Sequence, residues 1–139
     1  MKRVLFLCTG NSARSQMAEG LVNRLVADEW EAVSAGTRPA GYVHPLAVRV
    51  LAELGIDISA QRSKSVDEFR GADLDLVVTL CDSAAQTCPV WLGKGRVEHV
   101  SLPDPAEAEG TEEERLEAFR QVRDAIQRQI VKPMGEGRW

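Results

Sequence analysis

The sequence predicts an α/β domain built on a parallel, doubly wound sheet, and three observations carry that expectation. Short apolar runs alternate with stretches of helical periodicity, the pattern left by right-handed crossovers between parallel strands. The first run, Val4-Leu5-Phe6-Leu7, is apolar without interruption, as a strand buried on both faces is. It stops at a loop rich in Gly, Asn and Ser that leads straight into a helical pattern. In such sheets ligands bind beyond the carboxyl ends of the strands, where the strand order reverses.

The elements follow in order. From Ser15 onward, Met17, Leu21, Leu25 and Val26 recur at helical spacing, which predicts a helix of roughly 14 residues. Residues 31–34 read as a second strand, closed by Ala35-Gly36-Thr37. Pro45 stands near the start of the next helix, where its missing N–H costs little. Leu46, Val50, Leu51 and Leu54 mark that helix's buried face, and Gly55 is placed to cap its end. Residues 73–80 and 97–102 supply the third and fourth strands. Thr111 with Glu114 spells a capping box and opens a last helix to about residue 131. Its face is Leu116, Phe119, Val122, Ile126 and Ile130. No repeat, low-complexity tract or linker interrupts this path, so residues 1–139 read as a single domain.

Composition narrows the class. At 139 residues, 44% hydrophobic and 27% charged, the chain has the make-up of a soluble globular protein with a real core. Its apolar runs fall far short of a bilayer span. The charged start Met1-Lys2-Arg3 precedes only four apolar residues, too few for a signal peptide, which points to the cytoplasm. A formal charge of −4 without a basic cluster argues against a nucleic-acid partner. The three cysteines are an odd count with no CxxC, and His44 and His99 lie far from them in sequence. A disulfide framework and a zinc site are both disfavoured, and neither metal nor cofactor is expected. In a reducing compartment such cysteines are buried spectators or reactive thiols.

One of them stands where chemistry is expected. Cys8-Thr9-Gly10-Asn11-Ser12-Ala13-Arg14-Ser15 is Cys-x5-Arg-Ser, between a buried strand and a helix. Loop N–H groups and the helix N-terminus there converge on a small tetrahedral anion. Gly10 permits backbone conformations closed to other residues. Arg14 offers a planar fork for two oxygens, which a lysine does not. The same positive field favours the thiolate of Cys8, the nucleophilic form, and Ser15 is placed to donate to its sulfur. Cys-x5-Arg alone arises by chance; the strand before it and the helix after it give it meaning.

At this loop the sequence resembles the low-molecular-weight tyrosine phosphatase fold group, specifically its thioredoxin-coupled arsenate reductases. The matching stretches begin with Val4-Leu5-Phe6-Leu7-Cys8-Thr9-Gly10-Asn11-Ser12, Arg14-Ser15-Gln16-Met17-Ala18-Glu19-Gly20 and Ser34-Ala35-Gly36-Thr37. Further along come His44-Pro45-Leu46-Ala47-Val48, Gly55-Ile56-Asp57-Ile58-Ser59, Cys81-Asp82, Cys88-Pro89-Val90-Trp91 and Pro103-Asp104-Pro105-Ala106. The likeness spans nearly the whole chain. It implies a four-stranded sheet of order 2-1-3-4 flanked by helices.

In that order Cys8 and Cys81 leave neighbouring strands at one edge. The resemblance implies a relay of three exchanges. Cys8 attacks arsenate held by the loop and Arg14, while Asp104 protonates the departing hydroxide. Cys81 then attacks Cys8, and arsenite leaves with the electron pair. Finally Cys88 attacks Cys81, leaving a Cys81–Cys88 disulfide for thioredoxin to reduce. If residues 82–87 are helical, Cα81 and Cα88 lie about 10 Å apart at ~1.5 Å per residue, beyond the roughly 7 Å a disulfide tolerates. Closing the bridge then requires that stretch to unwind. It lacks a large apolar anchor, and Pro89 bars a regular helix from continuing. Asp104, between two prolines after the fourth strand, otherwise reads as a turn aspartate.

Two positions depart from the family pattern. Ala13 stands where many of these reductases carry another cysteine, outside the relay, so one route to an unproductive disulfide is missing. Asn11, Glu19 and Ser34 match a potassium site of some members, but Lys64 replaces its acidic ligand. A lysine ammonium beside Glu19 would take the cation's place, so weak or no potassium dependence is expected. Asn11 is then read as a brace of the loop. His44 reads as a helix start, His99 as a strand residue, and Trp91 as core or thioredoxin-facing surface.

The rival readings are a phosphatase acting on phosphotyrosine or a small phosphate ester, a non-catalytic phosphate-binding module, and a sugar-phosphotransferase carrier domain. Family phosphatases usually follow the acid-loop Asp-Pro with tyrosine; here Ala106 follows. An intact Cys8, Arg14 and Asp104 disfavours the binding module, and a carrier needs neither clamp arginine nor partner thiols. Weak phosphatase activity beside reduction is expected, and a monomer is the default.

Overall fold

The computed structural model describes residues 1–81, 91 and 93–139. Four parallel strands form the sheet: β1 (Lys2–Cys8), β2 (Trp30–Gly36), β3 (Leu76–Thr79) and β4 (Arg96–His99). Their order is β2-β1-β3-β4, as expected. Val4 pairs with Ala32 on one side and Leu76 on the other, and Leu7 pairs with Ala35 and Thr79. The order reverses between β1 and β3, so the end of β1 opens into the crevice where ligands bind in such sheets.

Alternation along β1 sorts its side chains onto two faces. Val4, Phe6 and Cys8 join the larger core, filled by α1 (Arg14–Leu25), α2 (Pro45–Ala52) and α3 (Glu112–Ile126). Met17, Leu21, Leu51 and Phe119 are fully enclosed there. Leu5 and Leu7 face the other way and meet Ala35, Leu74 and Val77. Among the described residues that face is covered by a 3-10 turn, Val66–Phe69, and by Trp91. Both faces are apolar, which is why residues 4–7 carry no polar alternation.

Helix ends follow their local chemistry. Pro45 opens α2 behind His44, whose Nδ1 accepts the Leu46 N–H at 3.1 Å, a cap of the kind an Asn gives. The chain leaves α2 through Gly55 at φ +75°, with Ile56 N–H returning to Leu51 O at 3.0 Å; Leu54 falls in this turn and is exposed, not on the buried face. The Thr111–Glu114 capping box forms with both reciprocal bonds. All five residues expected on the face of α3 and its extension are buried.

That extension passes into a π-helical turn, Gln127–Val131, and ends as α4, Lys132–Gly135. Pro133 has no N–H to give and its ring crowds the preceding turn, so a wider turn just before it relieves both problems. The third and fourth strands are shorter than expected. β4 is an exposed edge along its whole length, with Arg96 and Glu98 paired on it, charges that suit an unpaired edge. No helix among the described residues is long and apolar enough to cross a membrane.

Candidate active site

The loop of residues 8–14, together with Asp104, lines a cavity of about 220 Å³. Its shape comes from carbonyls that are held outward. Thr9 O accepts the N–H of Arg38 at 2.9 Å, Gly10 O that of Ala40 at 2.9 Å, and Ser12 O that of His44 at 2.8 Å. Asn11 O accepts from Gln16 Nε2 at 3.0 Å, and Ser63 Oγ adds a further donor to Gly10 O at 3.2 Å. Across a planar trans peptide, C=O and the next N–H point in opposite directions. Fixing those carbonyls outward therefore turns the N–H groups of residues 10 to 13 toward the cavity.

Ala13 stands at the N-cap of α1 with no side-chain cap bond, so the start of that helix faces the cavity beside the loop N–H groups, a place that favours an anion. The clasp demands close approach at Gly36, where a Cβ would lie 2.5 Å from Thr9 O. Gly36 N–H itself donates to Lys64 O at 2.9 Å.

Asn11 is the keystone. Among the described residues it is the one non-glycine at positive φ, +48°, a conformation Asn tolerates better than most side chains. Its Oδ1 accepts from Lys64 N at 2.9 Å and Gln16 Nε2 at 3.0 Å, and its Nδ2 donates to Ser15 Oγ at 2.7 Å. The Asn11 N–H donates to Cys8 Sγ at 3.2 Å, and Ser15 Oγ lies 2.9 Å from the same sulfur. Ser15 Oγ accepts from Asn11 and keeps its own proton to donate to Cys8 Sγ when that sulfur is a thiolate. The thiolate form then receives two hydrogen bonds, from Asn11 N–H and Ser15, an arrangement that stabilises it.

Arg14 is buried, and its Nη1 donates to Leu102 O at 3.2 Å and Leu80 O at 3.4 Å. The guanidinium is thereby fixed to the chain just beyond β3 and β4. Its Nη2 stands 3.7 Å from Asp104 Oδ2. Asp104 caps the 3-10 turn Pro105–Glu107, with Oδ1 accepting Ala106 N–H at 3.0 Å. One carboxylate oxygen is occupied by the turn and the other faces Arg14 and the cavity. Asp104 is thus a turn aspartate that also lines the cavity.

Leu80 N–H donates to Leu7 O at 2.8 Å. Cys8 and Cys81 therefore follow adjacent residues of one ladder and leave neighbouring strands, about 4.8 Å apart. Cys8 is a free thiol; Cys81 is fully buried and disulfide-bonded. Cys88 and the expected movable stretch 82–87 lie outside the described residues.

Lys64 Nζ sits 3.4 Å from Glu19 Oε1, and Ser34 Oγ donates to that same oxygen at 2.7 Å, so lysine and glutamate meet as expected. His44 is a helix cap and also anchors Ser12. Burial, with the Arg115 charge adding, lowers its pKa against a smaller pull from Asp104. With Nδ1 accepting the Leu46 N–H, the neutral ring carries its proton on Nε2. His99 is exposed at the edge strand, its Nδ1 2.8 Å from Thr79 Oγ1. Trp91 packs on the smaller core and donates to Lys94 O at 2.8 Å. Among the described residues no three His, Cys, Asp or Glu side chains gather to hold a metal.

Sequence reasoning missed the clasp of residues 38–44, because it is made by backbone N–H groups that any residue type supplies. It also missed Gln16 and Gln61, which brace the loop from behind, Gln61 Nε2 donating to Gln16 Oε1 at 2.8 Å. The one signal for the clasp is the glycine at position 36.

Comparison with known proteins agrees with this geometry. The family model for low molecular weight phosphotyrosine protein phosphatase matches residues 3–136. An arsenate reductase of Halalkalibacterium halodurans is 49% identical over 129 residues, covering 93% of this chain and 92% of that protein. Among solved structures, an arsenate reductase in the phosphate binding state superposes with a TM-score of 0.81 at 35% identity, covering 98% of both chains. A thioredoxin-dependent arsenate reductase of Corynebacterium glutamicum gives a TM-score of 0.68 at 28% identity, over 99% of this chain and 63% of that one. With its loop and strand order in place, the chain belongs to the low molecular weight phosphotyrosine protein phosphatase family, among its arsenate reductases.

Proposed function

We propose that this protein reduces arsenate to arsenite through Cys8, Cys81 and Cys88, and that thioredoxin resets it. The observation that carries the reading is the pairing of a doubly hydrogen-bonded Cys8 sulfur with Cys81 at the end of the adjacent strand. A phosphatase needs the first of these and has no use for the other.

The inward N–H groups and the Arg14 fork hold the oxyanion over Cys8 Sγ, and the fixed dipoles spare the site any reorganisation as charge shifts. Cys8 thiolate bonds to arsenic and a hydroxyl leaves, protonated by Asp104, as water. Cys81 thiolate then attacks Cys8 Sγ. The sulfur–arsenic bond breaks with its electron pair remaining on arsenic, which departs as arsenite, and a Cys8–Cys81 disulfide forms. Cys88 thiolate attacks Cys81, freeing Cys8 and leaving Cys81–Cys88 for the thioredoxin dithiol. Such resetting requires a thiol-rich compartment, which supports the cytoplasm as its place of work.

Incubating the fully reduced protein with arsenate and mapping disulfides by mass spectrometry tests the relay. A Cys81–Cys88 bridge that forms with arsenate and not with phosphate is the expected result. Hydrolysis of a phosphate ester without any arsenate-driven bridge would instead assign the site to a phosphatase, the reading favoured by the Cys8 loop and Asp104 alone. Slow hydrolysis alongside the bridge is expected, since the cradle treats the two oxyanions alike.

A further inference from the structure

We propose that the Lys64 ammonium is a built-in cation that positions the catalytic loop, and so acts on Cys8 without touching substrate. The inference rests on Cys8 being the nucleophile and on nothing about the electron relay.

Residue 64 is clamped at three points. Its N–H donates to Asn11 Oδ1 at 2.9 Å, and its carbonyl accepts from Gly36 at the end of β2. Its side chain folds back so that Nζ donates to Arg62 O at 3.1 Å and to Glu19 Oε1 at 3.4 Å. The ammonium and carboxylate side chains are only 9% and 12% exposed. Glu19 belongs to α1, the helix that begins at Arg14, and it also accepts from Ser34 of β2. Thus Nζ lies where α1, β2 and the strap of residues 62–64 converge, directly behind Asn11.

Another cation that feels Glu19 is Arg62. Its guanidinium is exposed and forked onto Glu68. Among the described residues Lys64 is therefore the enclosed counter-ion paired with Glu19. An enclosed carboxylate stripped of its counter-ion must take up a proton, recruit another cation or turn toward solvent. Turning outward drags at Ser34 and releases the strap, and with it the donor that holds Asn11 at φ +48°. The two hydrogen bonds on Cys8 depend on that conformation. Lysine, a compact ammonium on a flexible stem, fills the niche without a diffusible ion.

The test is Lys64→Met, read by the rate of Cys8 alkylation with iodoacetamide, followed by peptide mass spectrometry across a pH series. Near neutral pH the variant is expected to react about tenfold more slowly, with the difference vanishing at alkaline pH, where both thiols are ionised. Inorganic phosphate is expected to bind about tenfold more weakly. Ammonium chloride is expected to restore alkylation in the variant and to leave the unaltered protein unchanged. A wild-type pH profile in Lys64→Met, or no recovery with ammonium, overturns the proposal.

Should that variant fail to fold, Lys64→Met combined with Glu19→Gln removes the stranded charge. It is expected to fold, to alkylate near the wild-type rate and to ignore ammonium; alkylation about tenfold slower there overturns the proposal equally. Alkylation and phosphate binding need no arsenate turnover, so failure of the redox relay leaves this test readable.

Discussion

Around Cys8 the polar network is compact, enclosed and mostly neutral; between α2 and α3 lies another that is charged and open to water. In the network at Cys8, Asn11, Ser15 and Gln16 are all fully buried, and every buried side-chain polar atom among the described residues has a partner. In the network between the helices, Glu53 faces Arg120 at 2.8 Å and Arg123 at 2.7 Å, while Glu113 and Glu117 gather on Arg120. Formal charge alone would rank the helix network as the stronger. Hydrogen bonding from Arg120 lowers the Glu53 pKa from 4.5 to about 2, with Arg123 helping against some loss of hydration. Yet water screens such pairs, and their net worth is small. The neutral network fixes one sulfur and one backbone conformation. Enclosure, more than formal charge, decides which network controls chemistry.

The largest expected effect comes from Asn11→Ala. It removes the donor to Ser15 and the acceptor of Lys64 N–H, and it leaves Ala at a positive φ. Arsenate-reduction kcat/KM is expected to fall about a hundredfold, with about 2 kcal/mol of stability lost in denaturant titration. Ser15→Ala deletes a single hydrogen bond to Cys8 Sγ while Asn11 N–H still donates there. About a tenfold fall in kcat, with KM little changed, is expected from steady-state kinetics.

Glu53→Gln probes the other network and is expected to leave turnover untouched. Its cost is about 1 kcal/mol at neutral pH, kept small because Glu53 is over a third exposed. The sign follows from a folded pKa below the ordinary one. The ion-pair contribution is fully present above 4.5 and disappears as pH falls toward 2. Unfolding titrations of the two proteins should therefore converge in acid. A tenfold change in turnover for Glu53→Gln would break the contrast between the networks.

Much of this architecture is legible in the residues themselves. The uninterrupted apolar stretch at residues 4–7 implies a central strand because only burial on both faces tolerates it. Cys-x5-Arg-Ser then falls at the strand order's reversal by topology alone. Thr111 and Glu114 announce the start of α3 through the reciprocal bonds they make. Lys64 beside Glu19 could be expected from the family pattern, and the side chains do meet. Other features depend on the third dimension. Leu54 has the right spacing for a core face, but the helix ends before reaching it and Gly55 swings the chain away. Residues 97–102 read as one strand, yet the ladder covers only Arg96–His99 at the exposed sheet edge, and Val100 and Leu102 are buried after it ends. The backbone clasp that turns the loop carbonyls outward leaves almost no trace in residue types.

The unequal faces of the sheet carry a further consequence for how the fold opens. Breaching the side that holds α1, α2 and α3 exposes Phe6, Met17, Leu51 and Phe119 together, which amounts to global unfolding. The opposite side, among the described residues, is held by Leu5, Leu7, Ala35, Leu74 and Val77 under a single 3-10 turn and Trp91. Lifting that turn bares far less apolar surface, so its amides exchange with solvent through sub-global excursions rather than complete denaturation. Cys81 follows β3 at the margin of this lightly roofed side. Among the described residues apolar cover is thus divided unequally across the sheet, with the heavier side seating Cys8 and the lighter side adjoining Cys81.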